Sequence, residues 1–224
     1  DHSDIEKIFS LPALSKAAGQ PGYIALTFDD GPSKETEKIL DILKKRQVKA
    51  TFFSIGRDDA FSKKMYQRIV KEGHTLGMHS YSHQYKEIYQ SMDAFQADYE
   101  RISNCLTAAT GIKPLYYRFP GGSTEVTEKL QMTDLDAYFN AQGASYFDWN
   151  VIAANNTTDD VSVNKMVDSV MNGVALYDTS IVLMYDSVDR KMTAKSLDSI
   201  LDYLLKNGYE ILPIDENTIP IHHS

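Results

Sequence analysis

From about Gly22 to its end, the chain alternates short β-rich runs with amphipathic helical stretches, and this alternation constrains the fold more than any other feature. The strand candidates are Tyr23–Phe28, Ala50–Ile55, Thr75–Met78, Leu115–Arg118, Ser145–Asp148, Ile181–Met184 and Glu210–Pro213. Between them, Leu197, Ile200, Leu201, Leu204 and Leu205 recur at i, i+3, i+4, i+7 and i+8, the spacing of one helix face. Ile39, Leu40 and Leu43 give a shorter stripe of the same kind. Strands that alternate with helices imply right-handed parallel crossovers, closed as a doubly wound open sheet or as a (β/α) barrel. The 224 residues suit one such domain, and no linker or internal repeat divides them. Residues 1–21 are read as an N-terminal extension, with a short helix around Asp4–Phe9 and a loop over Gly19–Gly22.

The polar residues gather just past the expected strand ends. Asp29 and Asp30 follow the first strand, His79 the third, Trp149 the fifth and Tyr185 the sixth, while Arg118 ends the fourth. Parallel α/β folds place their active sites at the carboxyl ends of strands, so these groups are expected at one mouth.

Composition removes several function classes. The net charge is −8, with Lys and Arg scattered, which excludes the basic patch a nucleic-acid partner needs. No apolar run approaches the ~18 residues that span a bilayer, so no membrane insertion by this segment is expected, and no signal segment is visible. The one cysteine, Cys105, flanks a helical stripe of Phe95, Tyr99, Ile102, Leu106 and Ala109 and reads as a packed thiol.

Two motifs carry chemistry. In His79-Ser80-Tyr81-Ser82-His83, imidazoles four residues apart would face the same way on a helix and could share a metal. The bland alternative is a pair of core or exposed histidines. In Thr27-Phe28-Asp29-Asp30-Gly31-Pro32, adjacent carboxylates end a strand, and consecutive strand residues point to opposite sides. One could ligate a metal while the other stays a hydrogen-bonded base, or the run could be an Asp-rich turn that caps a helix. An Asp, His, His set leaves positions open for water and a substrate carbonyl. A nucleotide site is disfavoured because the run lacks a glycine-rich phosphate cradle.

These runs, with Tyr116-Tyr117-Arg118-Phe119-Pro120-Gly121-Gly122, resemble carbohydrate esterase family 4, the polysaccharide deacetylases with a NodB homology domain. Ala50-Thr51-Phe52-Phe53-Ser54-Ile55-Gly56, Tyr146-Phe147-Asp148-Trp149-Asn150 and Gly208-Tyr209-Glu210 extend the resemblance over roughly Gly22 to Asn217. It implies an α/β fold, a distorted, NodB-like (β/α) barrel of about seven parallel strands, with residues 22–224 as the catalytic domain. It implies hydrolysis of N-acetyl groups from an amino-sugar polymer such as peptidoglycan, outside the cell or at the cell wall. By that resemblance Asp30, His79 and His83 hold one divalent metal, zinc first, with cobalt, nickel or manganese able to use the same ligands. Asp29 becomes the general base, Arg118 its ion-pair partner, and the Gly121 N–H, after Pro120, an oxyanion donor. Trp149 becomes a wall of the acetyl groove. A surface ion pair for Arg118 and a core aromatic for Trp149 are the alternatives. The partner is an N-acetylated glycan, and a monomer is expected.

Two family residues are replaced. Tyr185 stands where the family carries its general-acid His, and Asn155 is the nearest match to the Asp that orients that His. His2, His74, His222 and His223 offer no obvious substitute, His74 because it precedes a strand and so lies at the opposite end of the barrel. A lost acid is worth about 10²–10⁴ in rate, roughly 3–5 kcal/mol of barrier. Three outcomes stay open: a slowed deacetylase, a deacetylase for an unusual substrate, and a metal-bearing glycan-binding pseudoenzyme. The retained Asp29 speaks for an enzyme, because a pure binder needs no base.

Overall fold

The computed structural model describes residues 22–126, 129–154 and 161–224. The expected extension, its Asp4–Phe9 helix and Asn155 lie outside the described residues. All seven expected strands form: β1 (Tyr23–Asp29), β2 (Thr51–Ser54), β3 (Thr75–Met78), β4 (Tyr116–Tyr117), β5 (Ser145–Tyr146), β7 (Thr179–Tyr185) and β8 (Glu210–Ile211). An eighth, β6 (Val151–Ile152), was not expected, because two residues carry no periodic signal. Among the described residues six helices lie between them: α1 (Lys34–Arg46), α2 (Ala60–Lys71), α4 (Met92–Thr110), α5 (Met132–Gln142), α6 (Val163–Val174) and α7 (Lys191–Lys206), with one further short turn, α3 (Tyr85–Ile88).

Every strand pairing is parallel, in the order β5-β4-β3-β2-β1-β7-β6, with β8 added beside β1. The two ends of that order, β5 and β6, are joined in sequence by residues 147–150 alone. The sheet must therefore curl until its edges nearly meet, which makes it a distorted, unclosed barrel. The joining segment bridges the seam. Phe147 donates its N–H to the Tyr117 carbonyl at 2.9 Å on one side, and Asn150 donates to Ile181 at 3.2 Å on the other.

Strand alternation sorts side chains into two cores. Ile24, Leu26 and Phe28 of β1, with Phe52, Leu76, Met78, Val182 and Met184, pack outward under the helices. Ala25, Phe53, Phe147, Ile181 and Ile214 fill the barrel interior. That interior is narrow: a Cβ on Gly77 would lie 2.6 Å from the Phe53 ring. The helices supply the stripes the sequence showed, with Ile39, Leu40, Leu43, Leu197, Ile200, Leu201 and Leu204 buried. Leu205, placed on the same face by its spacing, is instead 44% exposed, since it is the penultimate residue of α7 and reaches past its partners.

The C-terminal segment seals both the floor and the seam. Ile214 donates its N–H to Thr51 at 2.9 Å and accepts from the Thr75 hydroxyl at 2.6 Å. Further on, Asp148 donates to the Ile221 carbonyl at 2.8 Å, and the His222 ring stacks on Tyr146 with centroids 3.9 Å apart.

Candidate active site and metal centre

Backbone ladders that continue past the strands fix the site residues. His79 donates its N–H to Ser54 at 2.9 Å, Arg118 to Met78 at 2.9 Å, and Asp186 to Asp29 at 3.0 Å. Asp29 ends β1 with its side chain inward, on the Ala25 and Thr27 face. Asp30 then turns left-handed, at φ 76°, a conformation Asp tolerates better than most residues. That turn brings the second carboxylate to the same mouth as the first.

The His79–His83 run is a loop, not the helix that would have aligned the two rings. Its rings converge because Ser80 and His83 both adopt positive φ, 71° and 55°, and fold the chain back on itself. Such backbone persists only when its surroundings hold it. Here Asp98 of α4 accepts from the N–H groups of Tyr81 at 3.0 Å and Ser82 at 2.9 Å. Ser80 Oγ accepts from the His83 N–H at 2.9 Å. The Tyr81 ring presses on Gly56, with the Arg101 guanidinium 3.7 Å above its centroid.

Asp30 Oδ1 lies 3.2 Å from His79 Nε2 and 3.2 Å from His83 Nε2. The three ligand atoms fall within 4.8 Å of one another. Among the described residues Asp30 Oδ1 and His83 Nε2 are buried with no hydrogen-bond partner, although burial of such atoms ordinarily demands one. The His79 Nδ1–H donates to the Arg118 carbonyl at 2.7 Å; a carbonyl only accepts, so the neutral ring presents its Nε2 lone pair to the mouth. A divalent cation fits these atoms: one carboxylate oxygen and two imidazole nitrogens, partly enclosed and aimed at one point. Burial alone would raise the Asp30 carboxyl, yet the two imidazoles outweigh it and hold it well below the usual carboxylate range. Burial likewise works to lower His79, but Asp29 and Asp30 prevail and raise it.

Asp29 is 2% exposed. Its Oδ1 accepts from Arg118 Nη1 at 2.9 Å, and its Oδ2 lies 3.9 Å from His79 Nε2. Burial lifts its carboxyl above the ordinary value, against the pull of Arg118 and His79. The ion pair is thus present, but in the protein alone it does not fully offset the desolvation.

Arg118 is wholly buried, which rules out the surface-pair alternative. Its Nη1 also donates to Thr27 Oγ1 at 2.6 Å, Nε donates to the Phe147 carbonyl at 2.9 Å, and Nη2 to Asp148 at 3.0 Å. It therefore plugs the seam that the curled sheet leaves open. Phe53 and Trp149 flank it, their ring centroids 4.3 Å and 5.6 Å from Cζ. Trp149 sits in the seam, with its ring tip against Gly122 and its carbonyl 2.6 Å from His223 Nε2.

Pro120 is buried, and its carbonyl accepts from the Tyr89 hydroxyl at 2.8 Å. Gly121 and Gly122 follow at φ 81° and 89°, conformations glycine adopts without strain. The turn bond there is made by the Gly122 N–H, to Phe119 at 2.8 Å, and among the described residues the Gly121 N–H has no backbone acceptor. Tyr185 pairs with Asp29 across the β1–β7 ladder, and the Arg190 guanidinium lies 4.9 Å from its ring. Burial, then Asp29 and Asp30, push its phenol well above the ordinary value, so it keeps its proton.

Sequence reasoning passed over Asp98 and Asp186. The Asp186 carboxylate accepts from the Gly31 N–H at 2.9 Å and the Thr36 hydroxyl at 2.6 Å, clamping the Asp30-Gly31 turn against β7. Its place directly after a strand was a usable signal. Asp98 offered none, because it sits amid an ordinary helical stripe.

Residues 16–139 match the model of the polysaccharide deacetylase family. Among solved structures, the catalytic domain of a peptidoglycan N-acetylglucosamine deacetylase from Eubacterium rectale is similar, with TM-score 0.83 and 35% identity, over 95% of this chain and 98% of that one. A CE4 esterase from Streptococcus mutans gives TM-score 0.79 and 30% identity over 87% of each chain. The peptidoglycan-N-acetylglucosamine deacetylase PgdA of Listeria monocytogenes is 33% identical over 92% of this chain, which spans 41% of that relative's length.

Proposed function

The chain belongs to the polysaccharide deacetylase family, and from that membership we propose that it hydrolyses N-acetyl groups on an amino-sugar polymer, peptidoglycan first, at a metal-dependent site. The observation that carries the reading is the convergence of Asp30, His79 and His83 beside a buried Asp29 held by Arg118. Asp30 Oδ1 and the two Nε2 atoms would hold one divalent ion, zinc before cobalt, nickel or manganese. When bound, that ion supplies a Lewis acid that polarises the acetyl carbonyl.

The remaining work falls to the chain. Asp29 Oδ2 takes a proton from the attacking water, while Arg118 occupies Oδ1 and fixes the carboxylate's orientation. The Gly121 N–H donates to the oxygen on which charge develops. Tyr185, protonated and on the strand beside Asp29, gives the proton that the leaving amine requires. A phenol is a weaker acid than an imidazolium, so turnover is slower than in an enzyme with His at this place. Peptidoglycan as substrate implies action at the cell wall, outside the cell; among the described residues no helix is long and apolar enough to cross a membrane.

The test is acetate release from N-acetylglucosamine oligomers and peptidoglycan, with and without chelator. The expected result is slow release that stops on chelation and in Asp29→Asn. No release from any N-acetylated glycan would replace hydrolysis with glycan binding alone.

A further inference from the structure

We propose that Tyr85 and Glu125 form a sugar-gripping rim at the mouth, the Tyr85 ring stacking on one pyranose face while the Glu125 carboxylate accepts hydrogen bonds from that sugar's hydroxyls. The inference rests on the glycan-deacetylase reading and adds two residues to the substrate site.

Tyr85 opens the short helix α3, two residues after His83, and is 39% exposed, whereas the aromatics of the neighbouring core, Tyr89, Phe95, Tyr99, Tyr117 and Phe119, are buried. Its ring stands edge-on to His83 with centroids 5.6 Å apart. Tyr89 backs it at 6.0 Å, and the Tyr89 hydroxyl is tied to the Pro120 carbonyl. The exposed ring is thus braced against a buried one beside a metal ligand. A large aromatic held rigidly in this way loses little entropy when a ligand settles on it.

Glu125 approaches the same point from the short 3-10 turn Ser123–Glu125 that follows Gly122. A Cβ built on Gly121 would lie 2.3 Å from Glu125 Cγ and 3.0 Å from Tyr85 Cε2. The two side chains therefore converge over Gly121, whose N–H faces the reacting carbonyl in the reading above. A pyranose presents C–H groups on its faces and hydroxyls around its edge. An aromatic face with a carboxylate beside it matches both, and a mainly apolar wall carrying few placed polar groups is how small-molecule sites achieve orientation.

The experiment measures binding of a β-1,4-linked N-acetylglucosamine tetramer by calorimetry to the wild type, Tyr85→Ala, Tyr85→Phe and Glu125→Gln, alongside zinc affinity and acetate release. Tyr85→Ala and Glu125→Gln are expected to weaken tetramer binding by about fivefold to tenfold, the scale of one aromatic or charge-assisted contact. Tyr85→Phe keeps the ring and should bind like the wild type, and zinc affinity should be unchanged in all three variants. Equal tetramer affinity in Tyr85→Ala and wild type, or no tetramer binding by the wild type, overturns the inference. If acetate is released with the same KM in Tyr85→Ala, the inference falls and the deacetylase reading stands. If the binding pattern holds with no acetate released, the rim is upheld and hydrolysis falls.

Discussion

Replacing Arg118 with Met should be among the most damaging single changes available to this protein, through one buried network. The guanidinium donates to Asp29, to Thr27, and to the carbonyls of Phe147 and Asp148, and it is shielded from water entirely. Met fills much of the volume but donates nothing. Removing one partner of a buried ion pair costs about 3–5 kcal/mol, because the other charge is left in a poor solvent. Each stranded carbonyl adds roughly 1–3 kcal/mol. The terms do not simply add, since Asp29 can escape part of its penalty by taking up a proton. A loss of about 4–6 kcal/mol is expected, which for a chain of this size lowers Tm by roughly 10–20 °C. Guanidinium unfolding of the metal-free protein, followed by far-UV circular dichroism, measures it. Adding Asp29→Asn to Arg118→Met removes the uncompensated charge while leaving the carbonyls stranded, so the double variant should recover about 1–3 kcal/mol. A loss below ~1 kcal/mol in Arg118→Met, or a double variant no more stable than the single, would refute the reasoning.

Three further outcomes are expected. Burial, opposed by hydrogen bonds from Thr36 and Gly31, pushes the Asp186 carboxyl up to about 7, so its contribution to stability is present below about pH 3.8 and is lost as pH rises through 7. Burial, helped by Lys49, pulls His74 down to about 4, so its contribution is present above about pH 6.5 and is lost as pH falls through 4. Relative to the wild type in denaturant titrations between these limits, Asp186→Asn should tilt stability upward with pH and His74→Gln downward, each by at most ~1.4 kcal/mol per pH unit; a slope of the opposite sign in either variant would refute that residue's assignment. Asp98→Ala, which frees the Tyr81 and Ser82 amides, should weaken zinc binding by about 10–100-fold in competition with a chromogenic chelator, although every ligand remains; an unchanged affinity would show that the loop holds itself. Tyr185→His combined with Asn155→Asp should raise acetate release by about tenfold or more, and no gain over a brisk parent would make Tyr185 a working adaptation rather than a lost acid.

The sequence alone determined the order and kind of the elements and which ligand-type residues meet at the mouth. Seven β-rich runs between helical stripes imply parallel crossovers, and ligand-type residues past strand ends imply one mouth, because strand polarity forces every carboxyl end to the same side. His79, His83 and the Asp29-Asp30 pair were legible for that reason, while the choice of Asp30 as the ligand came from the family resemblance. Tertiary structure decided what depends on curvature and on contacts distant in sequence. Periodicity could not choose between an open sheet and a barrel; closure is a matter of how far successive strands twist, and the seam at residues 147–150 exists only once they have curled. The spacing left a loop or a helix open for the two histidines; left-handed turns at Ser80 and His83 bring them together, and these are held by Asp98, which lies 17 residues from Tyr81. Arg118 carries the same lesson. Its place at a strand end marked it as functional, while its second task, satisfying two carbonyls of the segment that bridges the seam, follows from a gap that no local pattern encodes. Local periodicity records which face of an element is apolar; the groups that meet across an interior are fixed only when the backbone closes around them.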